Sequence, residues 1–161
     1  VKEEFVANTD NIWSRCWSFN SGLPFNRRLP IDYPETENAF RATLKKYFTK
    51  AGGFELNEGY TDDSSISRKL NIKAINAAGA ICYHYNPSSL LEVFFSARWI
   101  GRSKLFKPNL KNFVRFSPVN SLRVSVKYLL NGASSAILLF KLVYDAGMFV
   151  GIFMNNGKTF K

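Results

Sequence analysis

Between residues 93 and 144 the sequence has no aspartate and no glutamate. Nine basic residues fall in the same span: Arg98, Arg102, Lys104, Lys107, Lys111, Arg115, Arg123, Lys127 and Lys141. The imbalance is local. Residues 1 to 63 hold eight Lys/Arg against ten Asp/Glu, and residues 64 to 161 hold fourteen against two. Soluble surfaces usually mix signs. A one-signed stretch this long makes a positive field that favours anionic partners.

Other absences narrow the chemistry. His84 is the single histidine. A two-histidine ribonuclease mechanism is excluded, and any Ser-His or Cys-His arrangement would have to use this one residue. No phosphate-binding or dinucleotide-binding glycine pattern occurs. Gly52 and Gly53 end a helical pattern rather than open one. Cys16 and Cys82 are too few for a disulfide framework and fit no zinc spacing. They read as two small buried hydrophobes, or as one disulfide tying the N-terminal segment to the sheet.

Asp62 and Asp63 are adjacent carboxylates among Thr61, Ser64 and Ser65, with Glu58 nearby. That composition reads as a solvated turn, because a divalent ion needs further oxygen ligands. Nothing favours pairing Asp32, Glu35 or Glu37 with them for glycoside hydrolysis over simple helix-start electrostatics. No catalytic residue, metal ligand or cofactor is therefore expected.

Long apolar runs are also missing. The longest, 136-AILLFKLVY-144, is short and contains Lys141, so no membrane span is expected. No apolar signal region follows Val1. A start at Val rather than Met fits a trimmed or mature segment, which leaves the compartment open.

What is present points to one domain of 161 residues with 46% apolar content. Fifteen Phe and seven Tyr favour strands. Pro24, Pro30 and Pro34 punctuate an extended arm over 1–34, in which Trp13, Trp17 and Phe19 suggest one amphipathic turn or an edge strand. The domain proper is then 35–161. Phe40, Leu44, Tyr47, Phe48 and Ala51 recur at helical spacing, with Glu35 and Glu37 early and Lys45, Lys46 and Lys50 late. This predicts a helix over 35–51, stopped by Gly52 and Gly53.

Beyond it the apolar period falls to two. Strands are expected around Phe54, Leu56 and Tyr60, around Leu70–Ala74, over 81–85, over 90–100 and over 121–130. A last hairpin over 134–144 and 148–154 turns at 145-DAG-147, and 155-NNGK-158 makes a final turn. Asn131-Gly132 is the strongest hairpin signal. The expected fold class is α+β: one amphipathic helix packed on a largely antiparallel sheet of six or seven hairpin-linked strands.

The basic segment carries the functional expectation. Pro108 suits the first turn of a short helix over 108–116, with Lys111 and Arg115 pointing outward; an extended loop fits nearly as well. The expected site comprises Arg98, Arg102, Lys104, Lys107, Lys111, Arg115, Arg123 and Lys127 for charge, with Trp99 and Phe106 for stacking. The expected function is a non-enzymatic binding domain for an anionic partner, nucleic acid ahead of an acidic protein and of an anionic membrane surface. The alternatives are an assembly domain of a larger complex docking on an acidic protein, and a small basic toxin-like nuclease.

Overall fold

The computed structural model describes residues 3–40, 42–55 and 59–154. Its architecture is predominantly helical. Helix covers 51% of the described residues and strand 9%. The elements run β1 (Glu3–Val6), α1 (Ile12–Asn20), β2 (Thr36–Glu37), α2 (Lys45–Lys50), a 3-10 segment (Gly59–Ser64), α3 (Ser65–Leu70), β3 (Ala74–Ile75), β4 (Ile81–His84), α4 (Leu90–Gly101), α5 (Leu110–Arg115), α6 (Pro118–Leu130) and α7 (Ala136–Phe153).

α7 is the central element, and α4, α6 and α1 all pack on it. α4 runs parallel to α7 at unusually close range. A Cβ at Gly147 would lie 2.5 Å from Phe94 O, and one at Gly101 would lie 2.6 Å from Met148 O. A Cβ at Gly151 would overlap Arg98 O. Only residues without side chains let the two backbones meet in this way, the packing mode of small-xxx-small helix pairs.

α6 lies antiparallel to α7. Near its start Ser121 Oγ donates to Asp145 Oδ2 at 2.7 Å. Near its end Tyr128 and Leu129 pack on the cluster of Cys16, Val93, Ile137 and Phe140. Asn131-Gly132 does make a turn, but between helices. Gly132 has φ +86°, Ala133 N–H bonds to Tyr128 O, and Gly132 N–H bonds to Leu129 O. That is the Schellman stop of a helix.

The expected antiparallel sheet is replaced by two two-stranded ribbons. β1 pairs with β4 in parallel, Glu3 opposite Ile81 through Val6 opposite His84, and β2 pairs with β3 antiparallel. The segments expected as strands over 90–100, 121–130, 134–144 and 148–154 are helices. Alternation misleads here because a period of two contains a period of four. The set Leu91, Val93, Phe95, Ala97, Trp99 splits into buried Val93 and Ala97 and exposed Leu91, Phe95 and Trp99. In α6, Ser121 and Ser125 are buried while Leu122, Val126 and Leu130 are exposed. In α6 the small residues face inward and the large apolar ones mark the outer face. The expected turn at 145-DAG-147 is continuous helix, because Asp145 pairs within α7 and Gly147 is the contact point for α4.

The helix expected over 35–51 survives only as α2. Its first part is drawn into β2, where Asn76 N–H bonds to Glu35 O at 2.7 Å and Asn76 Nδ2 bonds to Pro34 O at 2.8 Å. α2 itself buries no residue, so its stripe has little to hold it. The segment 1–34 contains β1 and α1, and α1 places Cys16 in the core. Leu56 and Glu58, and the turn over 155–158, lie outside the described residues.

α7 also answers the expectation of no membrane span. As an unbroken helix, Ala136–Phe153 is long and apolar enough to cross a membrane by length and composition, and less than half of it is buried.

Candidate functional site

The expected site residues are divided between two surfaces. Arg98 and Trp99 lie in the last turn of α4, with Arg102 at its C-cap. Arg98 and Arg102 come close together. Burial first, and then the positive charge of Arg98, lower the pKa of Arg102. Lys104 and Lys107 are exposed on the connection to α5, Lys111 and Arg115 are exposed on α5, and Arg123 and Lys127 are exposed on α6. The two stacking candidates leave this face. Phe106 packs on Phe116 of the core with ring centroids 6.1 Å apart. Trp99 makes an edge contact to Tyr60 at 5.4 Å, on the wall of a separate cleft.

The exposed apolar side chains beside the cations are mainly aliphatic, with Phe113 of α5 the one large exposed ring among them. α6 starts cleanly, with Ser117 as N-cap and Pro118 in the first turn. At about 100° per residue, Val119, Leu122, Val126 and Leu130 fall on one narrow arc. Arg123 and Lys127 flank that arc, and Ser121 and Ser125 point to the opposite side. The exposures agree: Val119 is 79% exposed and Leu130 83%, whereas Ser121 and Ser125 are at most 1% exposed. Leu110 and Val114 of α5 and Leu105 before it are also exposed, alongside Lys107 and Lys111. The signal for this arc was legible as i, i+3, i+7, i+11 spacing, but it is hidden by the alternation.

The interior is correspondingly polar. Among the described residues fourteen polar or charged side chains are buried against ten hydrophobic ones, so the large apolar groups are disproportionately outside. In α7, Lys141 Nζ donates to Asp145 Oδ1 at 2.7 Å. The Lys141 ammonium also lies 5.3 Å from the centroid of the Tyr144 ring. Burial, with the nearby Asp145 charge, pushes the Tyr144 phenol up to about 12. Burial alone pushes the Cys16 thiol up to about 11, and both cysteines are free rather than bridged.

The second surface is a cleft of about 1000 Å³ between the N-terminal half and α4. It gathers residues that looked bland in sequence. Glu37, Asp62, Asp63, His84 and Glu92 line it, with Tyr33 and Tyr60. Tyr33 Oη donates to Glu37 Oε2 at 2.7 Å, and Glu92 Oε2 accepts from Ser88 N–H at 2.6 Å. His84 Nδ1 lies 3.0 Å from Tyr85 O. Arg27 and Arg28 also line the cleft, but they pair with Glu3 and Glu4, each at 3.7 Å. This cleft is therefore rich in carboxylates, and the cations from Lys104 to Lys127 sit on α5, α6 and the connection before α5. No group of three or more His, Cys, Asp or Glu suited to a metal ion occurs among the described residues. No protein family, no curated protein and no solved structure matches the chain.

Proposed function

We propose that the domain binds an anionic membrane surface, with α6 lying in the interface and α5 beside it. The outward arc of α6 carries this reading: Val119, Leu122, Val126 and Leu130 exposed together, with Arg123 and Lys127 at its edge. An interfacial helix needs that combination, apolar groups to enter the acyl boundary and cations to meet lipid phosphates. The absence of any carboxylate from 93 to 144 removes the repulsion that such a surface would otherwise meet. A nucleic-acid groove would use exposed rings rather than aliphatic side chains; Trp99 and Phe106 are engaged elsewhere, and the half-exposed Phe113 of α5 packs on Phe149 and Phe153.

α6 lies along the interface rather than across it. α4 and α6 are twelve and thirteen residues long. At about 1.5 Å per residue they fall well short of the roughly 30 Å hydrocarbon core.

Co-sedimentation with vesicles tests this. Binding is expected to vesicles of phosphatidylcholine with phosphatidylserine, weakening as salt rises. Arg123→Glu with Lys127→Glu should weaken it about tenfold or more, at roughly 1 kcal/mol per cation near the surface. Leu122→Ser with Val126→Ser should weaken it at every salt concentration. Binding to single-stranded oligonucleotide but not to vesicles would replace this reading with a polyanion one.

A further inference from the structure

The cleft between the N-terminal half and α4 has the wrong sign for the anions that suit the rest of the molecule. Its walls are aromatic. Tyr60 and Trp99 stand nearly perpendicular, with centroids 5.4 Å apart and planes at 84°, and each is more than 40% exposed. Behind them Trp17 and Tyr144 form a second crossed pair, 5.5 Å apart at 74°. All four rings line the same cleft. Crossed rings leave a corner into which two π-faces can point. The negative faces of aromatic rings attract cations, and such corners hold quaternary and protonated amines.

The polar groups of the cleft fit the same ligand. Glu37, Asp62 and Glu92 line it, and they accept hydrogen bonds from neutral donors: Tyr33 Oη, Asp63 N–H and Ser88 N–H. Each carboxylate has further lone pairs to offer. An anion would meet these groups unfavourably, and a neutral apolar ligand would leave them desolvated.

We propose that this cleft binds an organic cation, a quaternary or alkylated ammonium group, held in the Tyr60–Trp99 corner with its charge balanced by Glu37, Asp62 and Glu92. The ammonium can belong to a free solute or to a choline lipid headgroup. The proposal does not depend on the membrane reading, because it uses a different surface and Arg123 and Lys127 take no part in it.

Titration calorimetry with choline, tetramethylammonium and 3,3-dimethyl-1-butanol, the uncharged shape-mimic of choline, tests it. Saturable binding of the two cations is expected, with the alcohol at least about tenfold weaker. Trp99→Leu should weaken choline about tenfold, as should Asp62→Asn combined with Glu37→Gln. Circular dichroism checks that each variant stays folded. Vesicles of phosphatidylcholine alone form the second arm. Binding there that free choline competes away assigns the headgroup, and choline binding without vesicle binding assigns a solute. Equal affinity for choline and the alcohol, no binding of either cation, or full binding by Trp99→Leu would overturn the proposal. Loss of anionic-vesicle binding in the α6 variants, with choline binding intact, would touch neither Trp99 nor this conclusion.

Discussion

Lys141 Nζ and Asp145 Oδ1 lie 2.7 Å apart, one turn from each other on α7, and both residues are buried. Ser121 Oγ supplies Asp145 Oδ2 with a second donor at 2.7 Å and so ties the pair to α6. The pair is what allows an apolar helix to carry two charges in its core. Attraction in a poorly solvated site offsets desolvation only while both partners are present. Lys141→Met should therefore cost about 3–5 kcal/mol in urea unfolding, because it leaves Asp145 buried with Ser121 as its main donor. Lys141→Met with Asp145→Leu should cost less than the single change. Additive losses would mean the charges do not act as a pair.

The approach of α4 to α7 rests on glycine. At Gly151 a Cβ would overlap Arg98 O and stand 3.0 Å from Gly101 Cα, both parts of a rigid backbone. Alanine is the better helix former by about 1 kcal/mol, but here the helices must separate. Gly151→Ala should destabilise by about 1–3 kcal/mol net. Gly101→Ala added to it should cost less than it does alone, since helices already parted accommodate the second methyl. Chemical denaturation of the three variants measures this. A neutral or stabilising Gly151→Ala would show that the packing is looser than the geometry requires.

Those glycines also explain how much could be read in advance. The helix starts were only partly legible: a short helix is expected over 108–116, and α5 lies at Leu110–Arg115 with Lys111 and Arg115 exposed, but its N-cap is Asn109 and Pro108 stands outside the first turn. The basic, carboxylate-free span was legible as composition. The sheet was not absent by accident of counting. Reading large apolar residues as inward-facing assigns Leu91, Phe95, Leu122 and Val126 to a core, and these lie outside. The inward set, Ser14, Ser18, Ala97, Gly101, Ser121 and Ser125, is small or polar and carries little hydrophobic signal. The cleft was illegible for another reason. Glu37, Tyr60, His84 and Glu92 come from four separate elements or their connections, and only tertiary structure brings them to one wall.

Tyr144 gives the fold an alkaline limit. Its phenol is raised from 10 to about 12, mainly by burial and then by Asp145. The folded chain thus holds this proton more tightly than the unfolded chain. The contribution is complete below pH 10, declines as unfolded tyrosine ionises, and is lost as pH passes the folded value near 12. Two units correspond to at most about 3 kcal/mol. Tyr144→Phe keeps the ring and removes the titration. Its denaturation midpoint should fall less steeply between pH 10 and 12 than that of the wild type. Parallel curves would sink the assignment.

The cysteines should separate under a thiol reagent. Cys16 is 3% exposed, and burial holds its thiol near 11, so thiolate is scarce at neutral pH. Cys82 is only partly covered. Maleimide at neutral pH should modify one thiol in the folded protein and two in denaturant, and Cys82→Ser should abolish the native reaction. Two equivalents taken up by the folded protein would contradict the burial of Cys16.

Asn86 joins the parallel ribbon to α1 and to the start of α4. Its backbone N–H donates to Asn8 Oδ1 at 3.0 Å and its carbonyl accepts from Asn8 Nδ2 at 2.8 Å. Its side chain donates to Ser14 O at 3.2 Å and Ser18 Oγ at 3.0 Å, and accepts from Arg28 Nη1 at 2.9 Å. At 2% exposure it is sealed from water. Asn86→Ala removes the three side-chain bonds and leaves Ser14 O and Ser18 Oγ with one fewer donor, at a cost of about 3 kcal/mol. Because Arg28 also lines the cleft, the same change should loosen that wall and weaken choline binding even where the protein remains folded. Hydrogen exchange should show it as lost protection at Val6 and Ala7, whose N–H groups bond across to Asn26 O and His84 O. Unchanged protection there would mean that the ribbon is held by its backbone ladder, and Asn86 would then matter to α1 alone.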